Sequence, residues 1–295
     1  MMLLPRPIIQ HPFAYSWGRI GFTGFGIAVL LAFLVGQVVA QRELARRGVD
    51  PEPVSDMIFA AVIGGLLGAK LYYVVVLGHW DAMFERGGFV YWGGLLGGTL
   101  AVMAVVVKKR FGLWRMFDVS GIACAAAYAV GRTGCWAVGD DYGRPWNGFL
   151  AVAFPDGAPP STAGVMATEF GTVSPAGTPP NSLLSVYPTQ LYEVALGFIM
   201  FLALWRLRDH KHAQGWLFGV YMVLAGAERF VIEFFRAKDD RLLFGLTYAQ
   251  GIAIAFAAAG VVLMQMRSRT GPGRPGIYAD DRTGSLTAPE QRVLG

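Results

Sequence analysis

Three basic side chains, Lys70, Arg132 and Arg229, fall inside long apolar stretches of this 295-residue chain. A charge near the centre of a bilayer costs at least about 2.5–3.5 kcal/mol unless it is paired or hydrated, so each needs a reason to be there. Two structural reasons are available: a place near a helix end, from which the side chain snorkels to the interface, or pairing with an acid such as Glu193, Glu228 or Glu233. A functional reason arises where spacing groups the charges. Arg229 and Glu233 are four residues apart and Arg236 follows three later, which puts all three on one helical face with the glutamate able to orient either arginine. A planar guanidinium stays charged and binds phosphate through paired hydrogen bonds, so an anionic phospholipid headgroup is the natural ligand. Around Arg132 the chain reads Gly131-Arg132-Thr133-Gly134 and then Gly139-Asp140-Asp141-Tyr142-Gly143, glycines that let backbone approach a substrate closely, with carboxylates beside them.

Helices must position these groups. The chain is 54% apolar and 15% charged, outside ordinary soluble usage. Seven stretches have about the 20 residues needed to cross roughly 30 Å of hydrocarbon. They run approximately 20–40, 57–77, 89–107, 117–137, 190–206, 215–235 and 246–266. The expected fold is an all-α integral membrane bundle of about seven transmembrane helices. Threading the chain in and out places Arg132 at the end of span four at the same membrane face as Gln190 and Glu193 opening span five. Arg229 and Glu233 ending span six, and Thr247 and Gln250 opening span seven, share that face. The turn Tyr91-Trp92-Gly93-Gly94 opens span three at this level too, and Gly64-Gly65, Gly93-Gly94 and Gly97-Gly98 suit close helix packing. Cys124 and Cys135, eleven helical steps and about 16 Å apart, cannot bridge each other.

Charge sets the orientation. The loops after spans one, three and five and the C-terminal segment hold fifteen Lys and Arg, Arg206 included, against seven in the N-terminal segment and the other loops. This places the N-terminus outside and the C-terminus in the cytoplasm. The net charge of +5 then marks cytoplasmic loops rather than a nucleic-acid partner. The first 19 residues lack a basic-then-apolar leader, so a cleaved signal peptide is not expected. Residues 1–266 read as the membrane-embedded region, with the Pro, Gly, Ser and Thr-rich 138–189 as an external loop or small cap. Residues 267–295 read as a disordered cytoplasmic tail.

At these residues the chain resembles the prolipoprotein diacylglyceryl transferase family, from about Phe25 to Met266. The family's Gly-Arg-x-Gly signature resembles Gly131, Arg132 and Gly134, and its later acid and glycine match Asp140 and Gly143. A Pro-x-Gln-x-Tyr-Glu run matches Pro188, Gln190, Tyr192 and Glu193. An Arg-x-x-x-Glu-x-x-Arg segment matches Arg229, Glu233 and Arg236, and a Gly-Gly-Leu turn matches Gly93, Gly94 and Leu95. The chain departs from the pattern at Trp92 and Tyr187, where histidines are frequent, at Cys135, where asparagine is, at Phe25, where tyrosine is, and at Lys70, where arginine is usual. Asp140 stands for a glutamate.

The resemblance implies transfer of the diacylglyceryl group of phosphatidylglycerol to the lipobox cysteine thiol of exported prolipoproteins, in the bacterial inner membrane, with no metal or other cofactor. It implies catalytic roles for Arg132, Arg229, Asp140 and Glu233, and substrate contacts from Lys70, Trp92, Gly93, Gly94, Gly143, Tyr187, Gln190, Glu193 and Arg236. Arginines would hold the phosphate and stabilise the charge that grows as the carbon–oxygen bond breaks. Since none of the four histidines lies in a matched motif, a carboxylate, Asp140 first and Glu193 or Glu233 otherwise, would take the thiol proton, or ionisation would rest on the arginine field alone. Cys135, ending an Ala-rich helix, reads as a packing residue and not a nucleophile. A second reading is a non-catalytic protein that binds or moves anionic phospholipid with the same anion site. A membrane hydrolase is disfavoured by the lack of His-Glu-x-x-His and Gly-x-Ser-x-Gly.

Overall fold

A computed structural model describes residues 8–17, 20–84, 88–172, 177–237 and 245–269. The chain is mostly helical and divides into two compact units. One is Met1–Gly36, Gly121–His210 and Leu217–Met266, the other Gln37–Ser120, Lys211–Trp216 and Arg267–Gly295. The long helices are α1 (Gly24–Arg46), α2 (Pro53–Leu77), α3 (Tyr91–Lys108), α4 (Leu113–Val138), α6 (Thr189–Leu207), α7 (Trp216–Ile232) and α8 (Tyr248–Met266), with a short α5 (Ala163–Phe170) before α6. Each long helix overlaps one of the seven stretches expected from the sequence. Five of them, α1, α2, α3, α6 and α8, are long and apolar enough to cross a membrane by length and composition. The other two differ for visible reasons: α7 has 17 residues, and α4 interrupts a run of Ala and Gly with Arg132. Large apolar side chains such as Phe59, Leu66, Val75, Leu96 and Leu100 are exposed, as surfaces that face lipid are.

In the first unit α4 is the packing centre. Gly134 admits Phe25 and Ala28 of α1, Gly197 of α6 seats against Tyr128 and Ala129, and Gly121 sits under Tyr221 of α7. On α7, Gly219 and Gly226 meet α8 at Gly260 and at Ala253 and Ala257. Small residues at these seams let helix backbones approach, which supplies the van der Waals contact that holds helices together in lipid. Thr247 and Gln250 open α8 with a reciprocal capping box: each backbone N–H is accepted by the other's side chain, at 3.1 and 3.2 Å. Gln250, grouped by the sequence with the outward-facing polar residues, is committed to this cap.

The segment between α4 and α6 is a folded cap. Tyr142, Val152, Phe154, Met166, Val186 and Ala237 form a buried core, with Trp136, Phe170 and Leu184 packed against it. Two-residue strands β1 (Ile8–Ile9) and β4 (Val152–Ala153) pair in parallel, and Val186 bonds to Val152 from the other side. The Pro- and Gly-rich composition conceals this core, because its six buried members are scattered over the segment and beyond it. Before α1, β2 (Ala14–Trp17) and β3 (Ile20–Thr23) form an antiparallel hairpin.

In the second unit α2 and α3 cross on glycine. A Cβ on Gly64 or Gly68 would strike the backbone of Gly97 or Gly93, and the reverse holds as well. The expected seam is therefore present. Gly93 and Gly94, however, lie within α3 and not in a turn, since the helix begins at Tyr91 after the extended Val90. Of the expected tail 267–295, residues 270–295 lie outside the described residues, while Arg267 is buried over the Trp114 ring with its Nε donating to the Gln214 carbonyl.

Candidate active site

The site grows from the C-terminal end of α4. Gly139 adopts the left-handed conformation (φ 68°) that suits a residue just past a helix end, and the N–H groups of Gly139 and Asp140 both bond to the Cys135 carbonyl. Asp141 is also left-handed (φ 53°), a conformation aspartate tolerates better than most residues. This double turn folds the chain back over Arg132. Arg132 Nη1 then donates to Asp141 Oδ2 at 2.9 Å and to Cys135 Sγ at 3.3 Å, while its Nη2 donates to Glu193 Oε2.

Helix α6 supplies the next wall. Thr189 Oγ1 donates to the Asp141 carbonyl and Gln190 Nε2 to the Asp140 carbonyl, both at 2.6 Å, so the first turn of α6 fixes the backbone that carries the two aspartates. Glu193 lies one turn further along α6. From the other side, Gly143 forms an antiparallel bridge with Arg236, in which Arg144 N–H donates to the Phe235 carbonyl at 2.9 Å, while Gly143 N–H donates to the Tyr187 carbonyl at 2.9 Å. A Cβ at Gly143 would strike the Phe235 carbonyl and Tyr187 Cβ. Only glycine fits there.

The bridge corrects one expectation. Helix α7 ends at Ile232, so Arg236 does not continue a helical face with Arg229 and Glu233. It comes from the bridge that follows, where Arg236 Nη2 reaches Asp141 Oδ1 at 2.8 Å and Nε lies 4.0 Å from Glu233 Oε2. Arg229 Nη2 is 2.7 Å from the same Glu233 oxygen. The result is one continuous chain of ion pairs, Glu193–Arg132–Asp141–Arg236–Glu233–Arg229. Of its three guanidinium groups Arg229 is the most open, with 34% of its side chain exposed against 14% for Arg132 and 18% for Arg236.

The two adjacent carboxyl groups are in different states. Burial works to raise Asp141, but Arg236 and Arg132 outweigh it and hold Asp141 below the usual carboxylate range. Asp140 is pushed up to about 6, by burial first and then by the charge of Asp141, against the weaker pull of the Cys135 thiol, Arg132 and Arg236. Its Oδ1 is buried without a hydrogen-bond partner. For Arg236, burial acts downward, and Asp141 foremost, then Glu193 and Glu233, more than reverse it. The donor atoms of Cys135, Asp140 and Asp141 lie within 4.8 Å of one another, a spacing a cation can use. Two guanidinium groups already occupy both oxygens of Asp141, and their positive charge opposes a cation.

The structure thus brings together Arg132, Asp140, Gly143, Gln190, Glu193, Arg229, Glu233 and Arg236. Tyr187 adjoins them, stacked on Trp146 at 4.4 Å between ring centroids with its edge to Phe235. Lys70, Trp92, Gly93 and Gly94 belong to the second unit. There Lys70 is buried, 5.2 Å from the ring centroids of Tyr73 and Phe89, and Trp92 is half-exposed, edge-on to Tyr91. Gly93 packs on Gly68 and Tyr72, and Gly94 on Gly65 and Ala69. Two participants, Thr189 and Tyr128, were not singled out from sequence, and Asp141 was marked there only as a carboxylate beside Asp140. Tyr128 precedes Arg132 by four residues on α4, the spacing that signals a shared face.

A family model described as prolipoprotein diacylglyceryl transferase matches residues 12–266. The chain belongs to that family. Among its relatives, proteins named phosphatidylglycerol–prolipoprotein diacylglyceryl transferase are similar to it along most of its length. The one from Paraburkholderia phymatum is 30% identical, over 86% of this chain and 91% of its own. That from Geobacter sulfurreducens is 29% identical, over 83% and 90%, and that from Clostridium tetani 26% identical, over 82% and 92%. The match to the diacylglyceryl transferase family takes in both helical units and the cap, so the ion-pair chain lies wholly within it.

Proposed function

We propose that this chain transfers the diacylglyceryl group of phosphatidylglycerol to the lipobox cysteine of exported prolipoproteins, at the outer face of a bacterial inner membrane. The observation that carries the reading is the chain of ion pairs, in which Arg132 of α4 and Arg236 of the bridge after α7 meet on Asp141, and Glu233 links Arg236 to Arg229 of α7. Family membership and the names of the relatives support the same chemistry.

In the reaction the cysteine sulfur attacks the glycerol carbon that bears the phosphate. The carbon–sulfur bond forms, the carbon–oxygen bond breaks, and its electron pair leaves with glycerol phosphate. A free thiol near pKa 8.5 is only slightly ionised at neutral pH, so its proton needs an acceptor. Asp140 takes it, being deprotonated above about 6 and having a buried oxygen with no other partner. Arg132 and Arg229 exchange carboxylate for phosphate and stabilise the charge that develops on it. Glu233 orients Arg229 and Arg236. Gly143, Gln190, Tyr187 and Glu193 shape the wall around the headgroup, and in the other unit exposed Trp92 meets lipid while Lys70 packs on Tyr73 and Phe89 and Gly93 and Gly94 set helix spacing.

All seven long helices span the bilayer in this reading, with the N-terminus outside and the C-terminus in the cytoplasm. The excess of Lys and Arg in alternate loops supports this, as does the odd number of spans. The test is purified protein incubated with phosphatidylglycerol and a lipobox peptide, the peptide followed by mass spectrometry. A diacylglyceryl mass increase on the cysteine is expected. Lipid binding without that increase overturns the transferase reading in favour of a lipid-binding or lipid-moving protein.

A further inference from the structure

Tyr128 lies one helical turn before Arg132, and its hydroxyl meets carboxylates from two other helices. Glu193 Oε1 on α6 is at 3.2 Å and Glu228 Oε1 on α7 at 2.9 Å. A phenol has one proton to donate. That proton makes one full hydrogen bond or is shared weakly between two acceptors, and both contacts reach full strength when one carboxyl group supplies a second proton. The ion pair with Arg132 favours Glu193 as the charged one. With the second proton on Glu228, that acid donates to the phenol oxygen while the phenol donates to Glu193. The other charged groups acting on Glu228 are Arg229 on its own helix and Arg132 on α4.

We propose that Tyr128 and Glu228 are positioning residues for Arg132, acting through Glu193: protonated Glu228 keeps the phenol proton on Glu193, shares its charge, and frees Arg132 to turn toward a lipid phosphate. This deepens the transferase reading and rests on it. When Glu228 ionises, the single phenol proton is contested by two anions. Glu193 then leans on Arg132 alone, and one more negative charge stands near the phosphate. Affinity for phosphatidylglycerol falls as pH rises. Glutamine at position 228 cannot ionise, yet its amide N–H donates to the phenol as the acid does.

The experiment measures kcat and KM for phosphatidylglycerol across the neutral and alkaline range on the purified full-length protein. Binding to phosphatidylglycerol vesicles is measured in parallel. In the wild type KM and the binding constant rise on the alkaline side. Glu228→Ala and Tyr128→Phe raise both about tenfold at neutral pH, the effect of losing a hydrogen bond to a charged group. Glu228→Gln recovers affinity relative to Glu228→Ala and flattens the alkaline rise, which a purely structural role would not do. A Glu228→Gln protein that keeps the wild-type alkaline rise, or a Tyr128→Phe protein with wild-type affinity, overturns the proposal. Absence of transfer by the wild type sinks the transferase reading instead, and the vesicle measurement still decides the role of Tyr128 and Glu228.

Discussion

Asp140 and Asp141 are neighbours in sequence, yet one is spent on two arginines and the other is kept partly protonated near neutrality. The difference predicts a pH dependence. If Asp140 is the base, transfer declines as pH falls through about 6, because the protonated carboxyl cannot accept the thiol proton, and it levels off above that value. Asp140→Asn should remove both the activity and the acid limb, read from rate against pH. An active Asp140→Asn protein with the limb intact would assign the base elsewhere. Replacing Arg132 or Arg229 by Ala should cost a hundredfold or more in transfer rate, about what removing a donor from developing charge costs. Cys135→Ser should keep most of the activity, since serine preserves the small polar contact with Arg132. Full activity in either arginine variant would refute the phosphate role.

At the scale of elements, two close approaches set the geometry. Gly143→Ala drives a methyl group into the Phe235 carbonyl and Tyr187 Cβ, which parts the bridge that delivers Arg236 to Asp141. The expected loss is about 1–3 kcal/mol of stability, with a larger loss of transfer, measured by thermal unfolding and by peptide lipidation. Between α2 and α3, Gly68→Leu should lower the melting temperature, because the added side chain has only the backbone of Gly93 and Gly97 to push against. An unchanged melting temperature would mean that the two helices are free to separate. The helix ends were the least readable feature. Arg236 belongs to a bridge and Gln250 to a cap, distinctions that hydrogen-bond partners decide and residue spacing does not.

For the molecule as a whole, the orientation drawn from charge predicts opposite accessibility of the cap and the segment after α8. A cysteine placed at Thr168, exposed in the cap, should react with an impermeant thiol reagent from outside the cell, and one at Ser268 only after the membrane is opened. The background is a protein lacking Cys124 and Cys135. Reversed labelling would invert the topology and remove the outer-leaflet assignment with it. The cap's own core, closed by β1 pairing with β4, should keep Thr168 accessible without loosening the site beneath it.

The sequence by itself determined that long apolar helices alternate with charged loops, and that costly arginines stand beside acids at one end of several of them. Those conclusions rest on composition and on local periodicity, which a chain carries wherever it folds. Only the tertiary structure decided which acid meets which arginine. Asp141 takes two guanidinium groups because a pair of left-handed residues after α4 turns it back, and Tyr128 joins Glu193 to Glu228 because three helices converge on it. The first depends on backbone angles, and the Arg236–Asp141, Tyr128–Glu193 and Tyr128–Glu228 contacts join residues 65 to 100 positions apart, which no local pattern encodes.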